Sequence, residues 1–129
     1  MKKIEVVAAV IRKDNMILAT QRGYGEFKGG WEFPGGKIEA KETNEEALIR
    51  EIKEELDMKI KVHDLLQTVY YEYPTFYLTM HCYWCTMEEE TFILKEHEDY
   101  KWLNKKTLRT IEWLPADLGL IDEIEKELD

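Results

Sequence analysis

The chain has 129 residues, 44% of them apolar and 35% charged, which is the make-up of a soluble globular domain able to bury a core. A formal net charge of −9 opposes binding to a nucleic acid polymer or an anionic membrane surface. No apolar run is long enough for a membrane-spanning helix, and Glu5 and Arg12 interrupt the N-terminal stretch, so it reads as a strand rather than a secretion signal and the cytoplasm is the expected location.

The β-branched run KIEVVAAVIRK, ending at Lys13, predicts a first strand. Turn chemistry at KDN leads to MILATQR as its hairpin partner. GYGEFKGG, from Gly23 to Gly30, is a glycine-rich exposed loop, and WEFPGG follows with Pro34 setting an extended backbone. Thr43, with Glu46 three residues on, forms a capping box that opens a helix. Ala47, Leu48, Ile52 and Leu56 recur along that helix as a stripe for the core.

KIKVHDLLQTVYYEY and TFYLTMHCYWCTM predict two strands joined by a turn at Pro74 and Thr75. Cys82 and Cys85 fall on opposite faces of the second strand, which assigns them a structural role rather than a redox or zinc site. EEETFILKEHED reads as a polar loop and YKWLN as a short strand. KKTLRTIEWL and ADLGLIDEIEKELD are expected to be helical, the second with Leu118, Leu120, Ile121 and Ile124 as its apolar face. Without repeat or linker, the expectation is one α+β domain over residues 1–129.

The helix after Gly36 is crowded with glutamates. Glu51, Glu54 and Glu55 are three and four residues apart, which places their carboxylates on one edge of the helix beside Leu48, Ile52 and Leu56. Like charges at that spacing repel by about 0.2–0.5 kcal/mol per pair in water. A divalent cation would turn that repulsion into attraction, and an all-carboxylate set suits Mg²⁺ or Mn²⁺ rather than zinc. A solvated acidic face, softened by Lys41, Arg50 and Lys53, is the alternative from spacing alone.

Gly36, Glu42 and the run Arg50-Glu51-Ile52-Lys53-Glu54-Glu55-Leu56-Asp57-Met58 together resemble the Nudix box, G-x5-E-x7-R-E-U-x-E-E-x-G-U, where U is aliphatic. Asp57 alone departs, standing where the family has glycine; aspartate enters the left-handed region more readily than most residues. WEFPGGKIE is similar to the segment that precedes the box in Nudix hydrolases of the MutT type. The resemblance implies a Nudix fold, a mixed β-sheet sandwiched between helices. It also implies an Mg²⁺-dependent hydrolysis (Mn²⁺ being possible) of nucleoside triphosphates such as 8-oxo-dGTP to a monophosphate and pyrophosphate, by a monomer or a homodimer.

The resemblance further implies roles. Glu51, Glu54 and Glu55, with the Gly36 carbonyl, would hold the metal. Arg50 would pair with Glu42 or Glu51 and orient those ligands. Glu96 would be the general base, by its spacing from Trp102, with Glu98 as the fallback and His97 a weaker candidate. Lys37 would meet phosphate, Arg22 would lie near the nucleotide, and Phe33 and Tyr73 would stack on the base or else pack in the core. Asp117 stands where MutT itself has a base-reading asparagine. Ionised aspartate only accepts hydrogen bonds, which implies a changed base preference. The resemblance extends to CTP pyrophosphohydrolases with aspartate at this place, so a CTP or modified-dCTP pyrophosphohydrolase is the alternative activity, and a helix cap is the structural alternative for Asp117. A catalytically silent nucleotide-binding Nudix domain is the third reading.

Overall fold

The computed structural model describes residues 1–129. Its elements in chain order are β1 (Lys2–Lys13), β2 (Met16–Arg22), β3 (Trp31–Glu32), β4 (Gly35–Lys37), α1 (Asn44–Leu56), β5 (Ile60–Tyr73), β6 (Phe76–Met87), β7 (His97–Leu103), α2 (Pro115–Leu118) and α3 (Ile121–Glu127). β1 is apolar on both faces because both are covered. Ala8 and Val10 belong to one core with Leu120, Ile121 and Ile124, while Val7, Ala9 and Ile11 belong to the other with Leu48, Ile52 and Leu56. The helices thus lie on the two sides of one mixed sheet, as the Nudix resemblance implies.

The sheet runs β3-β2-β1-β6-β5, with β4 against β1 and β7 against β2. β1 and β6 are parallel from Lys2↔Phe76 to Ile11↔Cys85, and every other pairing between these strands is antiparallel. Cys82 packs in the first core and Cys85 in the second, neither in a disulfide, and burial pushes both thiols up from their ordinary value.

α1 begins as expected. The Thr43 hydroxyl accepts from the Glu46 N–H at 3.1 Å, and the Glu46 carboxylate accepts from the Thr43 N–H at 2.9 Å. It ends at Asp57, whose φ of 50° and ψ of 40° are the left-handed conformation for which the family uses glycine. Lys53 Nζ donates to the Asp57 carboxylate at 2.6 Å, a tie that glycine would lack.

The C-terminal third departs from expectation in three places. Residues 105–114 form turns, not a helix; Asn104 organises them by accepting from the N–H groups of Lys106 and Thr107. Residues 116–129 are not one helix but parts of α2 and α3, divided at Gly119 and Leu120. Leu118 is consequently 53% exposed, while Leu120, Ile121 and Ile124 are buried. β7 starts at His97, earlier than YKWLN predicts, because Arg22 pairs with His97 across a bulge at Glu98 in β7.

Thr43→Ala removes one half of the capping box. The expected loss is about 1 kcal/mol of stability, seen as a lower urea midpoint with an unchanged slope.

Candidate active site

The loop before α1 is set by its glycines. β4 pairs with β1 at Val7↔Gly36 and Ala8↔Gly35. A Cβ on Gly35 would fall on the Val7 carbonyl oxygen, and one on Gly36 would fall on the Glu51 carboxylate. The backbone of Gly36 therefore lies directly against the acidic edge of α1.

Arg50 fastens that edge. Its Nε and Nη2 donate to the two Glu42 oxygens at 2.7 and 3.0 Å, and Nη2 also donates to the Lys37 carbonyl at 3.0 Å. Nη1 donates to Glu51 at 2.9 Å and Glu54 at 3.3 Å. One guanidinium thus ties the loop to the helix, and it holds the Glu42 carboxyl below its ordinary range.

The three clustered glutamates do not share one environment. Glu51 and Glu55 line a cleft of about 490 Å³, whereas Glu54 is outside that lining with a side chain 58% exposed. No three His, Cys, Asp or Glu side chains converge as a metal-ligating group in this structure. Arg50 draws Glu51 and Glu54 to itself, and mutual repulsion keeps the carboxylates apart. The residues nevertheless fit a hard divalent cation. Glu55 is buried, its Oε2 has no hydrogen-bond partner, and its donor chemistry is oxygen only. Burial, then the charges of Glu51, Glu32 and Glu96, pushes its carboxyl up to about 9. A cation is the partner that would relieve all of these at once.

The cleft gathers residues from distant parts of the chain. Lys37, Glu51, Glu55 and Glu96 line it together with Arg22, Phe33, Tyr73 and Asp117. His97 also lines it, whereas Glu98 does not. Phe33 stacks on Trp113 with ring centroids 4.6 Å apart, and Tyr73 stacks on Phe76 at 4.9 Å. Each ring therefore has a core contact as well as a place in the wall. Arg22 is held by Glu32, through Nε at 3.2 Å and Nη2 at 2.6 Å.

Asp117 is buried, and its Oδ1 accepts from the Phe33 N–H at 2.9 Å. The capping alternative fails: the N-cap of α2 is Leu114, and no side chain caps it. Asp117 instead ties α2 to the strand segment ahead of the box. Burial pushes its carboxyl up to about 8, with the Phe33 N–H opposing.

Sequence reasoning gave no role to Glu32, Tyr24 or Phe27, all in the cleft wall. Glu32 sits between the buried Trp31 and Phe33, and Thr20↔Glu32 pairing brings β3 beside the strand that carries Arg22. The signal was present in the alternation of WEF, but only the strand register turns it into an ion pair.

Comparison with known proteins agrees with this geometry. The family model of the NUDIX domain matches residues 1–124. A CTP pyrophosphohydrolase of Escherichia coli K12 is 33% identical over 95% of this chain and 91% of its own length. An 8-oxo-dGTP diphosphatase of Haemophilus influenzae is 33% identical over 98% of this chain and 94% of its own. The solution structure of MutT from methicillin-resistant Staphylococcus aureus 252, 40% identical, superposes with a TM-score of 0.77 over 98% of this chain and 99% of that one. Such proteins are hydrolases of phosphoric anhydrides. The chain belongs to the Nudix family and is an enzyme of that class, a family that generally works with divalent cations.

The Asp117 carboxyl is raised from its ordinary 3.8 to about 8, so the folded chain holds an extra proton between those values. Stability contributed by that proton is lost as pH rises through this window. Asp117→Asn keeps an acceptor for Phe33 and has no proton to lose. Urea titrations should find the variant gaining on the wild type as pH rises from about 4 to about 8. A difference independent of pH would mean that Asp117 ionises freely.

Proposed function

We propose that the chain is a MutT-like pyrophosphohydrolase of nucleoside triphosphates, including oxidised ones such as 8-oxo-dGTP. The observation that carries this reading is the single cleft that joins box carboxylates to aromatic rings and a buried hydrogen-bonding side chain. One wall offers oxygens for an ion and its phosphates, and another offers surfaces for a base. A nucleotide needs both.

Glu51, Glu54 and Glu55, with the Gly36 carbonyl, would hold Mg²⁺ or Mn²⁺. When bound, such an ion neutralises phosphate charge and acidifies a water. Arg50 donates to both Glu51 and Glu54, and Lys37 meets the phosphates. Glu96 takes the proton from the attacking water as its oxygen bonds to phosphorus and the bridging anhydride oxygen leaves. The products are the monophosphate and pyrophosphate. Phe33 and Tyr73 frame the base, Arg22 lies alongside, and Asp117 reads the base edge.

A second reading keeps the chemistry and changes the base. An Asp117 carboxylate accepts from the exocyclic amine of cytosine, which supports CTP or a modified dCTP as substrate. The 33% identity to a CTP pyrophosphohydrolase supports the same reading.

A panel of nucleoside triphosphates, 8-oxo-dGTP and 5-methyl-dCTP, run with Mg²⁺ and with products identified, separates the two. Release of pyrophosphate chiefly from 8-oxo-dGTP is expected, and preference for cytosine nucleotides would promote the second reading. Glu54→Gln should lower turnover at least a hundredfold with the fold intact, by the scale of lost metal ligation. No turnover by the wild type would leave a silent nucleotide-binding domain.

Glu96→Gln is expected to lose about 10²–10⁴-fold in turnover and Glu98→Gln far less. The reverse order in steady-state rates would transfer the base role to Glu98.

A further inference from the structure

Asp117 sits on α2, a helix of one turn. A single turn cannot hold itself, because it fixes several residues for very few internal bonds, such as Leu118 N–H to the Leu114 carbonyl at 3.0 Å. No side chain caps it at Leu114, and Pro115 has no N–H to offer. The first N–H of the helix that needs an outside acceptor is that of Ala116, which is buried.

Tyr73 supplies the acceptor. Ala116 N–H donates to Tyr73 Oη at 3.2 Å, in a buried bond. The other ties from this segment go elsewhere. Trp31 N–H donates to the Glu112 carbonyl at 3.0 Å, Leu114 N–H to the Trp31 carbonyl at 2.8 Å, and Phe33 N–H to Asp117 Oδ1 at 2.9 Å. All of those hang α2 and its approach from residues 31–33, at the β3 end of the sheet. A segment tied along one side can swing about it. Tyr73 is the last residue of β5, the strand at the opposite end of the sheet, and its hydroxyl makes the tie from that side.

The ring itself is already packed, with Phe76, Tyr71 and Phe27 at centroid distances of 4.9, 4.7 and 5.2 Å. A phenylalanine would keep those contacts, so the hydroxyl is what tyrosine adds. Without it the buried Ala116 N–H has no acceptor, and the turn must shift to find one, taking Asp117 with it.

We propose that Tyr73 is a positioning residue whose hydroxyl, by holding the Ala116 N–H, fixes α2 and so sets where the Asp117 side chain meets the base. The inference rests on the base-reading role proposed for Asp117.

The test is the ratio of kcat/KM for 8-oxo-dGTP to kcat/KM for CTP, measured with Mg²⁺ in the wild type, Tyr73→Phe, Asp117→Ala and the double variant. A merely structural role would lower both rates together and leave the ratio alone. Expected is a ratio about tenfold nearer to one in Tyr73→Phe, the discrimination carried by one hydrogen bond. In the Asp117→Ala background Tyr73→Phe should change it no further, because the two residues act as one unit. Thermal melts check folding. If Tyr73→Phe does not fold, Tyr73→Met, an adaptable apolar filler, takes its place, and Asp117→Leu stands in for Asp117→Ala on the same ground. An unchanged ratio in Tyr73→Phe, with Asp117→Ala shifting it, overturns the Tyr73 role alone. An equal shift with and without Asp117 also overturns it, since the hydroxyl would then act on the base independently. A ratio that Asp117→Ala leaves where it stood, or a wild type that turns over neither nucleotide, overturns the base-reading role and this inference with it.

Discussion

The site depends on one steric constraint, the passage of a backbone with no side chains between a central strand and a helix edge. β4 must hydrogen-bond to β1 while lying against the Glu51 carboxylate. Neither contact leaves room for a Cβ at Gly35 or Gly36. Because the glycines allow this approach, peptide groups of the loop face the carboxylates of α1 directly. A Cβ at Gly35 would push β4 off β1, and one at Gly36 would displace the Glu51 carboxylate from its place against the loop.

Close approach then makes an electrostatic problem, and Arg50 is placed to answer it. Five of its donor contacts go to Glu42, Glu51, Glu54 and the Lys37 carbonyl, and these come from both sides of the loop. A lysine would supply the charge without the fork that spans two carboxylates and a carbonyl together. The guanidinium is one, however, and the crowd of carboxylates is larger. Glu55 lies beyond its reach, with one carboxylate oxygen that has no hydrogen-bond partner.

Much of this could be read in the chain before it was folded. The capping box, the helical stripe, the left-handed stop at Asp57 and the split of Cys82 from Cys85 follow from local rules, and the structure has each of them. What could not be read depends on register and side-chain direction. Spacing put Glu54 beside its neighbours, yet it turns outward because Arg50 and repulsion decide its rotamer. Glu32 gained a role only when β3 paired beside Arg22. Residues 105–114 have helix-forming composition, but the side chain of Asn104 accepts from the following N–H groups and holds a turn. Asp117 looked like a cap by position, yet the N–H that donates to it belongs to Phe33 on a distant strand segment, which no local pattern announces.

Two buried acids in this cleft have carboxyls raised by the same first cause, and their surroundings make them opposites. Glu55 has Glu51, Glu32 and Glu96 as further causes, and one oxygen with no partner. A proton relieves its charge but not the repulsion among its neighbours, whereas a divalent cation relieves both. Asp117 has only Glu32 adding to its burial, and the Phe33 N–H and the nearby Arg22 work against it. A single proton, or one hydrogen bond from a ligand, is enough for it. The wall around Glu55 therefore calls for positive charge, and the wall around Asp117 calls for a neutral, hydrogen-bonding group. A nucleotide with its metal-bound phosphates presents those two requirements at opposite ends of one molecule. The base is then selected by whether Asp117 meets it as an acid or as a carboxylate.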